Sequence, residues 1–523
     1  MGCASRTVLR DGLTAIAVVC VSSVALWGCN GDSSSSPESD LMVSKAQCGP
    51  NDKPETDLQG QVSAATRAAG FKGYSCNLEL VGQSKNDGGS WQHAWFVDKT
   101  GHKCSYYDTA SFTENRSQVG AVVVDATNAA SPKATQYLST TAMTDPWESL
   151  KVNERRQMLG GVNALNGNGG PEIELFDLSG DCRFPQLLTG AQVGTGTDGG
   201  AVAAVRGHEG NFAPDGLTYY AANLGAGYIY PIDITNATKP KLLAQYFTAP
   251  GRVHGLNISD DGNRAYVAIR GAGAANTERT SVPGSPPNNG LLILDTSEIQ
   301  SRKPDPQFKV VSVLVWDDGG GAQHTINVMI KGKPYIIHAD EAGSGGNSAA
   351  GWQAACDMKL PAWQFARIID ISDETKPTIV SKLMLEAYDP KNCAKVLPDL
   401  AGLASFTYGA HYCSVDNRLN ATTLACGYFN SGIRVFDIRE PARPREIAYY
   451  NPPGATVASP GSNHLRAGGW VAGGPDWCTA QIKLDAATAT LQTMCQDNGF
   501  LALKFTNGAW PFPESSTPPG LQN

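Results

Sequence analysis

Six of the eight histidines in this 523-residue chain fall at one register of a repeating unit. The unit reads His, a short strand, a turn, a second strand centred on Tyr or Ala, a run ending in Asp, and a Pro-containing turn. His208 precedes Tyr219, His324 precedes Tyr335 and His254 precedes Ala265 by the same step of eleven residues. Imidazoles repeated at matched register meet wherever the repeats share an axis. There they can hold a metal or a polar ligand.

The first strand of each unit starts near His93, Trp147, His208, His254, His324, His411 and His464. Trp147 takes the histidine's place in the second unit, so any ligand set is asymmetric. A metal accepts three to six ligands at about 2.0–2.2 Å, so not all six histidines can bind one ion. The preferred set is the four consecutive positions His254, His324, His411 and His464, with His208 and His93 as further ligands. Glu209, Asp340 and Glu341 are carboxylates placed to support them. Such a site suits copper, iron or zinc, with open positions for water, O₂ or substrate, and so redox or oxygenase chemistry. Two other readings stay open: histidines lining a wet channel by repeat ancestry, or a metal-free site for a polar ligand or a partner protein on a non-catalytic scaffold. His338 reads as a hydrogen-bonded strand residue and His102 as surface. No Gly-x-Ser-x-Gly elbow, Walker loop, EF-hand loop or His-Glu-x-x-His helix occurs, which leaves catalytic residues unassigned.

The elements that position the histidines are strands. Six segments carry an apolar strand ending in Asp, then a proline and another apolar strand: they end at Asp125, Asp177, Asp233, Asp295, Asp370 and Asp437, 52 to 75 residues apart. An Asp there accepts hydrogen bonds from the amides that follow, and the proline fixes the turn into an outer strand. The segments resemble LVIVD repeats, a family of exported bacterial and archaeal β-propellers. The resemblance covers roughly residues 75–510 and implies an all-β, seven-bladed β-propeller. Residues 77–82 match the post-proline strands yet follow no blade. They are therefore expected to pair with 500–505 and close the ring, which removes its open edge.

The N-terminus is expected to lie outside the fold. Arg6 and Arg10 precede an apolar run from Leu13 to Trp27, the pattern of a secretory signal over residues 1–28. Leu26-Trp27-Gly28-Cys29 resembles the lipobox of bacterial lipoproteins, which implies lipidation of Cys29 and anchoring to a membrane at the cell envelope. Residues 29–47 read as a Ser-rich tether, 48–515 as the propeller and 516–523 as a tail. Beyond Cys3, Cys20 and Cys29, ten cysteines remain, an even number that points to disulfides. Sequence does not fix their connectivity. Cys413 with Cys426 and Cys478 with Cys495 each bracket a strand pair, and Cys356 with Cys393 would staple one long insertion. Cys76 with Cys104 would tie the start of the domain to its first blade, leaving Cys48 with Cys182. The net charge of −8 carries no basic block, which argues against a nucleic-acid partner.

Overall fold

A computed structural model describes residues 42–109, 117–164, 173–189, 207–244, 247–249, 251–271, 289–403, 406–454, 459 and 473–515. Residues 1–28 with their expected signal, Cys29, His464 and the 516–523 tail lie outside the described residues. Seven antiparallel sheets form the seven blades of a β-propeller, numbered here in chain order. Each blade begins with a strand that contacts the first strands of neighbouring blades. In blade 1 the strands are His93–Val97, Lys103–Asp108, Ala121–Asp125 and Lys133–Leu138. The first strands of blades 2 to 6 are Lys151–Asn153, Glu209–Phe212, Arg252–Ile258, Gly320–Ile330 and Ala410–Val415, and that of blade 7 is Lys483–Asp485.

The repeat's aspartates act as expected. Asp125, Asp177, Asp233, Asp295, Asp370 and Asp437 each accept the backbone N–H two residues on, at 2.8–3.1 Å. That bond turns the chain out of the third strand. The β-branched and aromatic residues of the same strands pack between blades. In blade 4, Leu292 and Leu294 bury one face beside Val267 and Ile269, while Leu291 and Ile293 bury the other against Ile336 and Ile369 of blade 5. The third strand of blade 4 thus buries both faces, and a blade is stable only within the ring.

Ring closure uses two N-terminal strands. Leu78–Ser84 pairs antiparallel with Gly499–Phe505, from Leu78 opposite Phe505 to Ser84 opposite Phe500, and completes blade 7. Just before it, Tyr74–Cys76 adds a fifth strand to blade 6 along Tyr449–Asn451, a pairing the sequence did not suggest. Residues 42–47, expected in the tether, lie against the propeller: Val43 is buried and its N–H reaches the Met384 carbonyl at 3.0 Å.

Five disulfides form. Cys356–Cys393, Cys413–Cys426 and Cys478–Cys495 are the expected pairs. The other two differ: Cys48 bonds Cys76, and Cys104 bonds Cys182. The fifth strand of blade 6 explains the difference, because it carries Cys76 away from blade 1 and sets it beside the N-terminal segment that contains Cys48. Cys104 is left facing the turn of blade 2. Five disulfides are characteristic of a chain that folds in an oxidising compartment, as exported proteins do.

Candidate functional site

The first strands of blades 4, 5 and 6 share an irregularity that their sequences do not advertise. Two residues, His254 and Gly255, separate Val253 from Leu256 while the partner strand spends one fewer. Similar bulges fall between Ala322 and His324 and between Ala410 and Cys413. A bulge re-aims side chains; those of blades 4 and 6 contain His254 and His411, whereas in blade 5 the extra residue is Gln323 and His324 stays in register opposite Ala339. Gly255 serves the same end by allowing a close approach: a Cβ there would lie 2.2 Å from Glu209 Oε2.

His254 and His411 meet around two carboxylates. His254 Nε2 lies 3.5 Å from both Glu148 Oε2 and Glu341 Oε2. His411 Nε2 lies 3.1 Å from Glu148 Oε1 and 3.8 Å from Glu341 Oε2. His208 Nε2 joins them 2.7 Å from Glu148 Oε2. All five side chains are buried. Donor atoms of Glu148, His208 and His254 fall within 4.8 Å of one another.

The surrounding shell fixes which nitrogen faces inward. His411 Nδ1 bonds the Thr479 carbonyl at 3.1 Å, so its Nε2 is turned to the carboxylates. His254 Nδ1 faces Glu209 Oε2 at 3.4 Å, and Glu209 is in turn 3.6 Å from Lys151 Nζ. Arg270 clamps Glu341 through Nε at 2.9 Å and Nη2 at 2.8 Å. An imidazole braced by a carboxylate or carbonyl on one nitrogen, with the other directed into a cluster, is the arrangement that orients metal-binding histidines.

Charge within the cluster follows from this packing. Burial alone would raise the Glu148 carboxyl, but His254 and His208 hold it well below the usual range. Burial would likewise raise Glu341, and Arg270 and His254 outweigh it. The histidines respond in the opposite sense. Burial lowers them, yet Glu148 and Glu341 lift His254 to about 10 and His411 to about 9. Folded values above the ordinary 6.5 stabilise the metal-free protein fully below pH about 6.5, and this contribution is lost as pH rises through 9 to 10. Denaturation midpoints of metal-free protein should therefore fall between pH 7 and 10. In the His254→Asn/His411→Asn variant that decline should flatten.

The remaining sequence-selected residues lie elsewhere. His324 sits between blades 5 and 6, against the Tyr412 ring at 4.6 Å. Burial, with Lys151 nearby, keeps it neutral. Its Nε2 accepts the Cys413 N–H at 3.2 Å, so Nδ1 carries the proton to Gln323 Oε1 at 2.5 Å. Both nitrogens are thus engaged away from the carboxylates, and His324 is not brought to the cluster. His93 is held by the Gln481 carbonyl at 3.2 Å and Ser105 Oγ at 3.0 Å, and burial lowers it to about 3. Asp340 pairs with Arg367 at 2.5 Å, takes the Trp316 N–H at 3.0 Å and lies 3.6 Å from His338 Nδ1, and so is not part of the Glu148 cluster. His338 is fully buried, with Nε2 on the Gly290 carbonyl at 3.2 Å. His102 is half-buried against Asp98 at 2.9 Å.

Glu148 is the residue that sequence reasoning missed. It follows Trp147, the residue that marks the unit lacking a histidine, and bridges in parallel to Glu209. The available signal was the pair Trp147-Glu148 set against His208-Glu209. An aromatic wall stands beside the cluster: Trp91 lies 5.2 Å from His411, and Trp147 6.0 Å from His208. Trp147 and Phe406 in this wall both adopt a φ of 49°. A bulky residue in that region costs about 1–3 kcal/mol, and such strain collects at functional sites.

No family model matches the chain, and no curated protein does. Solved structures are similar to it at low identity. One is a 6-phosphogluconolactonase-like protein of Bacteroides uniformis, at 12% identity and TM-score 0.48, covering 80% of this chain and 94% of that one. Another is the hydrazine synthase of Kuenenia stuttgartiensis, at 13% and 0.46, covering 82% and 97%. A third is the Cps50 (Swd1) propeller domain of Myceliophteria thermophila, at 10% and 0.45, covering 82% and 98%.

Proposed function

We propose that this chain is an exported, lipid-anchored propeller of the LVIVD-repeat type whose axial cluster binds one transition-metal ion. The observation that carries the metal reading is the inward-facing set of Glu148, His208, His254 and His411, with Glu209 and the Thr479 carbonyl bracing two of the imidazoles. Donor atoms of Glu148, His208 and His254 lie within 4.8 Å of one another, so small side-chain shifts would bring three donors to bonds of about 2.1 Å, with His411 Nε2 beside the second Glu148 oxygen at 3.1 Å. Mixed imidazole and carboxylate donors suit iron, zinc or copper. A redox-active ion held there would supply one-electron chemistry toward O₂ or an organic substrate. The chain's own part is to hold Glu148 and Glu341 ionised, to fix the histidine tautomers and to keep apolar rings against the site.

Metal analysis of the purified, exported protein decides the matter. One equivalent of iron, copper or zinc is expected, and the folded His208→Ala/His254→Ala variant should hold none. Protein that stays metal-free after incubation with each ion would favour the alternative, a non-catalytic scaffold for a polar ligand or protein. Anchoring is tested separately by metabolic lipid labelling, which Cys29→Ser should abolish.

A further inference from the structure

The strand that brings His254 to the axial cluster, and the strand of blade 5 that carries His324, both end at a second site. At the far ends of Arg252–Ile258 and Gly320–Ile330, a cavity of about 540 Å³ opens between blades 4 and 5. That volume lies in the range of small-molecule sites. Arg418 reaches it from blade 6, on the turn between Ala410–Val415 and Thr423–Tyr428. The turn is pinned to blade 5, since Met329 N–H donates to the Arg418 carbonyl at 2.7 Å and Ala421 N–H to the Met329 carbonyl at 2.8 Å. These bonds fix the backbone from which the Arg418 side chain enters the cavity.

Arg418 is buried, its side chain 5% exposed. One Nη donates to Asn327 Oδ1 at 3.1 Å and toward Asn257 Oδ1 at 3.5 Å, and the other contacts Asp260 Oδ1. Its Nε is buried with no hydrogen-bond partner among the described residues. A guanidinium fork matches a carboxylate in two bonds, and Asp260 satisfies only part of it. Asp260 comes in from the solvent side, 47% exposed.

The other charged groups of the cavity already have partners, Glu374 an ion pair and Asp261 neutral hydrogen-bond donors. Glu374 takes Arg264 Nε at 2.7 Å and Tyr266 Oη at 2.8 Å, and Asp261 takes Ser259 Oγ at 2.6 Å and the Asn263 N–H at 3.0 Å. Tyr335, Val328, Met329 and Ile371 supply an apolar wall. We propose that this cavity binds a small organic carboxylate, which replaces the Asp260 carboxylate on Arg418 and lays its apolar body on the wall around Tyr335. The site is separate from the axial cluster and does not depend on a metal there.

Benzoate is the probe, titrated calorimetrically into the full folded domain with its disulfides intact, and benzamide is its uncharged counterpart. Benzoate should bind and benzamide should not. Asp260→Asn removes the internal competitor and should tighten benzoate about tenfold, whereas Arg418→Lys, which loses the fork, should weaken it about tenfold. Equal binding of benzoate and benzamide would overturn the proposal, as would an Asp260→Asn variant that binds benzoate no better. A neutral sugar such as glucose binding in place of benzoate would also overturn it. Should Arg418→Lys fail to fold, the Asp260 and benzamide measurements still decide.

Discussion

Glu148→Gln should leave the propeller folded and weaken metal binding by at least about 100-fold, more than the loss of a residue that merely braces a ligand. Glu148 faces three imidazoles at once: His208 at 2.7 Å, His411 at 3.1 Å and His254 at 3.5 Å. The amide keeps the shape but removes the charge, so a cation in the cluster loses its closest anionic donor. His324→Asn is the contrasting variant. Both nitrogens of His324 are bonded to the blade 5–6 junction, and its replacement should leave metal affinity within about threefold while costing some stability from the lost Cys413 N–H bond. Isothermal titration of zinc into metal-free protein measures both. Retained affinity in Glu148→Gln, or its loss in His324→Asn, would reverse the assignment of ligands. The titration also has a pH signature. Metal must displace protons from His254 and His411, lifted to about 10 and 9, so protons are released on binding and affinity climbs with pH across the neutral range.

The contrast between Glu148 and His324 shows where sequence reading reaches its limit. Strand register follows from local periodicity, so the six aspartates, the blade count and a closing strand, read at 77–82 and found at Leu78–Ser84, could be read directly. The histidines could be placed at the inner ends of the blades for the same reason. Which way each ring points depends on bulges of one residue, and these depend on cross-strand pairing that no local pattern encodes. His254 and His324 hold the same place in the repeat, yet the blade 4 bulge contains its histidine and turns the imidazole to the carboxylates, whereas the blade 5 bulge falls on Gln323 and leaves His324 between blades. Glu148 lay in the one unit that breaks the pattern, so a search for repeated residues passed over it. The disulfide exchange has a similar origin. Cys76 was read as part of the approach to blade 1, whereas an unforeseen fifth strand binds it to blade 6.

That fifth strand belongs to the latch on which closure of the ring depends, and the latch turns on one buried cation. Arg434, wholly buried in blade 6, bonds Glu446 at 2.6 Å on its own blade and Glu55 of the N-terminal segment, with its guanidinium 5.1 Å above the Tyr449 ring. Gln59 Nε2 adds a 2.8 Å bond to Glu446. Burial, with Glu446 nearby, pushes Glu55 up to about 7 even though Arg434 opposes the shift. Removing the guanidinium leaves two carboxyls in an apolar site, so Arg434→Met should destabilise the protein by about 3–5 kcal/mol. The pH dependence identifies the cause. A carboxyl raised above its ordinary 4.5 costs stability fully above its folded pKa, and that cost vanishes below 4.5, where folded and unfolded chains are both protonated. The deficit of Arg434→Met in urea denaturation should therefore be largest near pH 8 and shrink toward pH 5. Adding Glu55→Gln and Glu446→Gln should recover much of it at pH 8, because no charge then remains to be buried. A deficit that is the same at both pH values, or that survives the two glutamines, would mean that Arg434 acts through its packing on Tyr449 and not through the carboxylates it holds.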